Sequence, residues 1–280
     1  MSEPVSTTAV FQPDLFKGKV AFVTGGGSGI CKGMTEALMR HGAKSVIVSR
    51  TLSKLEESAK ELSTLTGNEC FPIAADVRNF KEMESAFEQA HKRFGRIDIV
   101  ICGAAGNFLA PAEKLSANGF KTVIDIDLIG TFNTAKAALP YLKETKGTII
   151  SVSATFHYAG TGLQVHCAAA KAGVDAITRT LAVEWGHYGI RVNAIAPGPI
   201  QETTGLSKLS TTAKQTGFIA EMEKRMPLQA AGRKLDIAQA TVFLASPAAR
   251  WITGEIMVVD GGHWLTSPGV APPDAWRAKL

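Results

Sequence analysis

Val20-Ala21-Phe22-Val23-Thr24-Gly25-Gly26-Gly27-Ser28-Gly29-Ile30-Cys31 decides how the rest of the chain is read. A mostly apolar run enters a cluster of glycines and leaves into an amphipathic segment, Ile30 to His41. That is the pattern of a buried parallel strand, a tight turn and a helix start. Glycine lets the backbone approach a ligand closely, and the free N–H groups of a first helical turn attract a phosphate. The spacing is Thr24-Gly25-x-x-x-Gly29-x-Cys31, with a cysteine where a third glycine is usual. Such a turn also serves as a plain connector. Its place between a strand and a helix, with a second strand following at Ser45 to Ser49, points instead to a dinucleotide site.

The chain has 280 residues, 45% of them hydrophobic, which suits one large α/β domain with an ample core. A net charge of +5 is spread along it without a dense Lys/Arg run or an aromatic-interleaved basic patch, so no nucleic-acid partner is expected. Four scattered cysteines (Cys31, Cys70, Cys102 and Cys167) contain no Cys-x-x-Cys pair, and the histidines show no ligand spacing. Reduced core thiols and no metal are the expectation. Met1 to Lys19 lacks a signal-peptide pattern, and no apolar run is long enough to span a membrane. A turn-rich tail, Pro268 to Pro273, leads to Ala278-Lys279-Leu280. That ending resembles the Ser-Lys-Leu type of address read by a peroxisomal import receptor, with alanine for serine.

Strand and helix patterns alternate throughout. Apolar runs follow at Cys70 to Ala75, Ile97 to Cys102, Gly147 to Ser153, Arg191 to Ala196 and Glu255 to Val259. Helical patterns cover Leu52 to about Leu65, Phe80 to Phe94, about Gly119 to Lys143, and Gln164 to Trp185. Repeated strand–helix units with right-handed crossovers predict a single Rossmann-type, doubly wound parallel sheet of about seven strands. Its ligand crevice lies at the carboxyl ends of the strands, where the glycine turn, Asp76-Val77-Arg78, Gly103-Ala104-Ala105-Gly106 and Asp260-Gly261-Gly262 all fall. The segment Gln201 to Met226 interrupts the alternation at that crevice and reads as a surface excursion or a substrate lid.

The end of the second strand bears on the choice of cofactor. A carboxylate there accepts bonds from a free ribose 2′-hydroxyl, whereas a basic residue pairs with a 2′-phosphate. Here Arg50 stands at the strand end, Lys54 a turn further on, and no acid occurs before Glu56. NADPH is therefore expected. Asp76 is placed to meet the adenine edge or to cap the following helix.

Thr24-Gly25-x-x-x-Gly29, the run at Gly103, Lys171 on its helix, and Pro197-Gly198-Pro199-Ile200 together resemble the short-chain dehydrogenases/reductases over roughly Asp14 to Trp264. The departures are as informative. The usual catalytic tyrosine stands four residues before the lysine, which is Cys167 here; the usual serine position falls near Ala154, and the usual asparagine is Asp127. A thiol is a weaker donor with an unperturbed pKa near ~8.5, so ordinary ketone chemistry is disfavoured. Among the tyrosines only Tyr158, in the loop after the fifth strand, is a candidate substitute; Tyr141 and Tyr188 lie elsewhere.

A missing tyrosine, an aspartate for the asparagine and a retained lysine are similar to one branch, the peroxisomal 2,4-dienoyl-CoA reductases. Pro13 to Thr24, Ala104-Ala105-Gly106-Asn107-Phe108, Val123 to Asp127 and Val152-Ser153-Ala154-Thr155-Phe156 match it. Mitochondrial relatives carry a tyrosine where this chain has Phe156. The resemblance implies reduction of 2,4-dienoyl-CoA to 3-enoyl-CoA by NADPH, within β-oxidation of unsaturated fatty acids. It implies Asp127 and Lys171 as the catalytic pair, holding a water that protonates carbon, with Lys171 also on the nicotinamide ribose. Gly25, Ser28, Gly29 and Ile30 would line the pyrophosphate, Pro197, Gly198, Pro199 and Ile200 the nicotinamide amide, with Val77 and Ala104 as further cofactor contacts. Arg78, Phe108, the turn Ser116, Ala117 and Asn118, and Lys208 would meet the acyl-CoA. The implied layout is an extension over residues 1–18, an NADP-binding reductase domain over 19–264 with a lid at 201–226, and a targeting tail over 265–280. A homodimer or homotetramer without membrane attachment is expected. Two rival readings remain at this point: a carbonyl reductase using Tyr158, and a non-catalytic NADP-binding protein.

Overall fold

The computed structural model describes residues 7–203, 220, 222–224 and 226–266. Seven apolar runs form strands β1 (Val20–Thr24), β2 (Lys44–Ser49), β3 (Cys70–Ala74), β4 (Ile99–Cys102), β5 (Thr148–Val152), β6 (Arg191–Pro197) and β7 (Ile256–Val259). They make one sheet in the order β3-β2-β1-β4-β5-β6-β7, with every neighbouring pair parallel. Strand order reverses between β1 and β4, and a crevice opens at such a switch point. Pro72 lies in β3, an edge strand, where its missing N–H costs little.

The crossovers carry helices α1 (Gly29–Arg40), α2 (Leu52–Thr66), α3 (Phe80–Phe94), α4 (Ala117–Val123), α5 (Gly130–Thr145), α6 (Val165–Trp185) and α7 (Lys234–Ala245), and α8 (His263–Thr266) follows β7. Alternation along β1 sends Phe22 to one face and Ala21 and Val23 to the other. Met83 and Phe87 of α3, Leu142 of α5 and Leu181 of α6 cover the Phe22 side. Met34 and Leu38 of α1 and Ile237 and Val242 of α7 cover the opposite side. A sheet buried on both faces needs continuous apolar strands, and that is the pattern in the sequence.

Two elements differ from the sequence reading. The helix expected from about Gly119 to Lys143 runs from Ala117 to Thr145, and its middle, Ile124–Ile129, winds as a π-helix between α4 and α5. The widened turn shifts the helical phase, so a 3.6-residue pattern does not reveal it. Its carbonyl at Asp127 accepts a bond from Thr131 Oγ1 at 2.6 Å. The fourth strand begins at Ile99 rather than Ile97, because Asp98 turns its side chain back onto β1. Of the Gln201 to Met226 segment only the two ends are described, and Glu223 joins them by accepting from Gln201 Nε2 and Ala231 N. Residues 1–6 and 267–280, and with them the terminal tripeptide, lie outside the described residues.

Asp98 locks the base of the sheet. Only 4% exposed, it accepts bonds from Val20 N, Lys19 Nζ and the Arg96 guanidinium at 2.6–3.0 Å. Burial pushes its carboxyl up, but the bonds from Arg96, Val20 and Lys19 outweigh burial and hold it below the ordinary carboxylate value. A carboxyl lowered in this way stabilises fully above the unfolded value of ~3.9 and loses that contribution as pH falls through the folded one. Asp98→Asn should therefore lower the unfolding free energy by about 2 kcal/mol at neutral pH. The gap should narrow below pH ~4. Urea unfolding of both proteins at neutral and acid pH checks this; equal stability at neutral pH contradicts it.

Candidate active site

Thr24, at the carboxyl end of β1, ties the two sides of the switch point together. Its hydroxyl donates to Ile101 O and accepts from Gly103 N at 3.0 Å and Ala104 N at 3.3 Å. The β4 loop is thereby drawn so close to the glycine turn that a Cβ on Gly25 would stand 2.9 Å from Gly103 O. Gly25 also has a φ of 72°, which only glycine adopts freely. Ser28 precedes α1 without making a side-chain cap bond, so the first-turn N–H groups of Gly29 and Ile30 face the crevice. A Cβ on Gly29 would meet no protein atom within 4 Å, leaving space for a ligand phosphate at the positive end of the helix. These four residues fit a dinucleotide pyrophosphate.

Arg50 and Lys54 are both exposed beyond the end of β2. Asp76, beyond β3, is engaged by Arg78 through Nε and Nη2 and by the Arg78 N–H. Those bonds, with burial opposing and Arg50 helping, hold its carboxyl below the ordinary value. Asp76 does not cap α3. Asn79 does, accepting from Lys81 N and Glu82 N. The Val77 carbonyl accepts from Asn133 Nδ2 at 2.9 Å, which anchors this loop to α5. On the far side of the crevice, Pro197 ends β6 and Gly198 N donates to Val259 O. A Cβ on Gly198 would lie 2.6 Å from that of Asp260. Pro199 and Ile200 continue along Gly232, fixed by the Gly232 N–H to Pro199 O.

Between these walls the π turn presents Asp127 to α6. Asp127 is 1% exposed; Gly106 N donates to its Oδ1 at 2.7 Å, and its Oδ2 lies 3.1 Å from Lys171 Nζ. That ion pair falls short of hydrogen-bond geometry, so Oδ2 has no hydrogen-bond partner among the described residues. Lys171 Nζ donates instead to Val152 O at 3.0 Å. Burial pushes the Lys171 ammonium down, but Asp127 overrides it and holds the group above the ordinary lysine value. Cys167, one turn earlier on the same face of α6, is pushed up to about 12, first by burial, with Lys171 only partly opposing. It stays a neutral thiol. Ala154, after β5, is buried and carries no hydroxyl.

Tyr158 does not fill the gap. Its hydroxyl donates to Asp175 Oδ2 at 3.4 Å, and burial, then Asp175, pushes it up to about 12. Asp175 is buried one turn beyond Lys171 and also accepts from Ser153 Oγ, with His157 Nε2 2.8 Å from its Oδ2. The bridging role of Thr24 and the partners of Tyr158, namely Asp175, Ser153 and His157, are not assigned by the sequence reading; an Asp four residues after Lys171 was the available signal.

Among the residues expected to meet the acyl-CoA, Phe108 is 39% exposed and lies against Gly119, whose Cβ would be 3.3 Å from its ring. The turn Ser116, Ala117, Asn118 opens α4, with Ser116 Oγ accepting from Gly119 N. Phe108 and that turn therefore share one wall. Arg78 is bound to Asp76 and offers a partly neutralised charge; Lys208 lies outside the described residues. Among the described residues no cluster suits a metal ion, and no helix is long and apolar enough to cross a membrane.

The family model described as Enoyl-(Acyl carrier protein) reductase matches residues 25–263. The (3E)-enoyl-CoA-producing peroxisomal 2,4-dienoyl-CoA reductase of Danio rerio is 50% identical over 261 residues, covering 93% of this chain and 86% of that protein. That of Saccharomyces cerevisiae is 50% identical over 261 residues, covering 92% and 88%. The crystal structure of a short chain dehydrogenase from Bacillus anthracis superposes with a TM-score of 0.79 at 44% identity, covering 89% of this chain and 97% of that one.

Since burial is the largest influence on Lys171 and Asp127 the main one opposing it, Asp127→Asn should let the Lys171 amine titrate at a lower pH than in the parent protein. Carbon-13 NMR of the lysine side chains across alkaline pH reads this directly. An unmoved or upward-moved Lys171 titration contradicts it.

Proposed function

The chain belongs to the short-chain dehydrogenase/reductase family, and from that premise we propose how its residues divide the work. It reduces 2,4-dienoyl-CoA to 3-enoyl-CoA in the peroxisome, with a nicotinamide cofactor. We propose NADPH. Arg50 and Lys54 are exposed where a 2′-phosphate would lie, and Asp76, a carboxylate that Arg50 influences, is already paired with Arg78.

One observation carries the mechanism: a buried Asp127–Lys171 ion pair stands beside a position that offers only a neutral thiol. When bound, the cofactor supplies a hydride to the far end of the conjugated system. Negative charge then collects at the thioester oxygen, and a proton must reach carbon. Asp127 Oδ2 and Lys171 hold a water that gives its proton to the carbon beside the thioester; the ammonium stabilises the resulting hydroxide and returns a proton to it. The unmatched Oδ2 supports a water at this point. Gly25, Ser28, Gly29, Ile30, Val77, Ala104 and Pro197 to Ile200 position the cofactor. Phe108 and the Ser116 to Asn118 turn position the acyl chain, while Arg78 and Lys208 meet the CoA phosphates.

The same reading takes residues 1–18 as an extension, 19–264 as the reductase domain with a lid at 201–226, and 265–280 as a tail whose Ala278-Lys279-Leu280 is read by the import receptor. A homodimer or homotetramer is supported by Ile129 and Phe132, apolar neighbours three residues apart that are 42% and 40% exposed.

The test is NADPH oxidation with 2,4-hexadienoyl-CoA beside a panel of ketones. Only the dienoyl thioester should turn over, and Asp127→Ala should lose at least about 100-fold in kcat with NADPH affinity unchanged. Tyr158→Phe should retain turnover. Ketone reduction that depends on Tyr158, or full activity in Asp127→Ala, would sink the proposal.

A further inference from the structure

Buried polar side chains nearly always find a partner. Gln164 and His166 do not: both are 0% exposed, and neither amide atom of Gln164 nor either ring nitrogen of His166 has a hydrogen bond among the described residues. They sit at the start of α6, just before Cys167 and seven and five residues before Lys171. The His166 ring lies 4.5 Å from that of Phe108, on the wall read above as the acyl wall, and feels the charge of Asp127. The Phe108 backbone lies near enough to favour the protonated ring without reaching hydrogen-bond geometry. Burial dominates and pushes His166 below the ordinary histidine value, and the positive end of α6 also disfavours a cation. The ring is a neutral donor without an acceptor.

The backbone holds this arrangement under strain. Ala110 N donates to Leu163 O, and Leu163 adopts a φ of 67°, a left-handed conformation uncommon for a branched residue. Gln164 follows directly and enters the helix without using its side chain as a cap. The loop after β4 and the start of α6 are thus fastened together, with the His166 ring against Phe108 at their junction.

We propose that His166 donates to the acyl thioester carbonyl oxygen and stabilises the negative charge that arrives there during reduction. This rests on the dienoyl-CoA reading above and assigns the half of the reaction that Asp127 and Lys171 leave unassigned. A neutral donor preset in a water-excluded site strengthens its bond as charge develops, which raises kcat more than it lowers KM.

The experiment compares the parent protein, His166→Ala and His166→Asn, which keeps an N–H donor. With 2,4-hexadienoyl-CoA and NADPH, His166→Ala should lose about 100-fold in kcat with KM within about 3-fold, and His166→Asn should regain at least about 10-fold. The near-ultraviolet absorption of bound hexadienoyl-CoA, read without NADPH, should shift to longer wavelength on the parent protein and less on His166→Ala. A purely structural histidine would not produce that carbonyl polarisation. NADPH affinity should be equal in all three. An unchanged kcat and absorption shift in His166→Ala, beside an active parent, overturns this inference alone. Loss of NADPH binding in both variants makes His166 a packing residue and also overturns it. A parent protein inert towards the thioester overturns the dienoyl-CoA reading and this inference with it.

Discussion

A carboxylate and an ammonium taken out of water must find each other, and the pair Asp127–Lys171 is the constraint on which this molecule depends. Both side chains are more than nine-tenths buried. Desolvating two charges costs several kcal/mol each, and removing one partner strands the other at a cost of about 3–5 kcal/mol. Apolar side chains would fill such a volume at less cost, so the pair is not there for stability. It is held by three separate elements: the Val152 carbonyl at the end of β5, the Gly106 N–H in the loop after β4, and the π turn that brings Asp127 across. Each of these lies at the carboxyl edge of the sheet, and the sheet's topology determines that they meet.

The surrounding polar groups are arranged so that one chemistry is available and another is not. Thr24 joins the β1 and β4 loops and so sets the distance between the phosphate turn and Gly106. Asp175 takes the hydroxyls of Ser153 and Tyr158 and directs both to itself. The thiol of Cys167 is kept neutral by burial. Neither of these two hydroxyls is left to exchange a proton with a substrate oxygen. What remains is a charged pair with an unmatched carboxylate oxygen, suited to water-borne protonation of carbon.

Much of this was legible in the residues. Strands buried on both faces appear as unbroken apolar runs, and Gly25 and Gly29 mark the phosphate turn because their conformations exclude other side chains. Cys167 and Asp127 identified themselves by departing from a spaced motif. The features that stayed hidden depend on partners far apart in the chain. The π turn has the composition of an ordinary helix, and it brings Asp127 against Lys171 of α6. Asp98 is anonymous until Lys19, Val20 and Arg96 converge on it. Tyr158 looked like a possible acid because only the fold shows Asp175 holding its hydroxyl. Asp76 reads as an adenine contact or a helix cap, and only the fold shows Asn79, three residues on, taking the cap.

The central claim is that hydride arrives at the far end of the diene while solvent, through Asp127 and Lys171, protonates the carbon beside the thioester. Turnover of 2,4-hexadienoyl-CoA by NADPH in deuterium oxide, with the product examined by NMR and mass spectrometry, tests it most directly. The account predicts a 3-enoyl product carrying one solvent deuterium on the carbon next to the thioester and none at the terminal end of the reduced system. A product deuterated at the fourth carbon with its double bond at the second, or one bearing no solvent deuterium at the carbon beside the thioester, would contradict it.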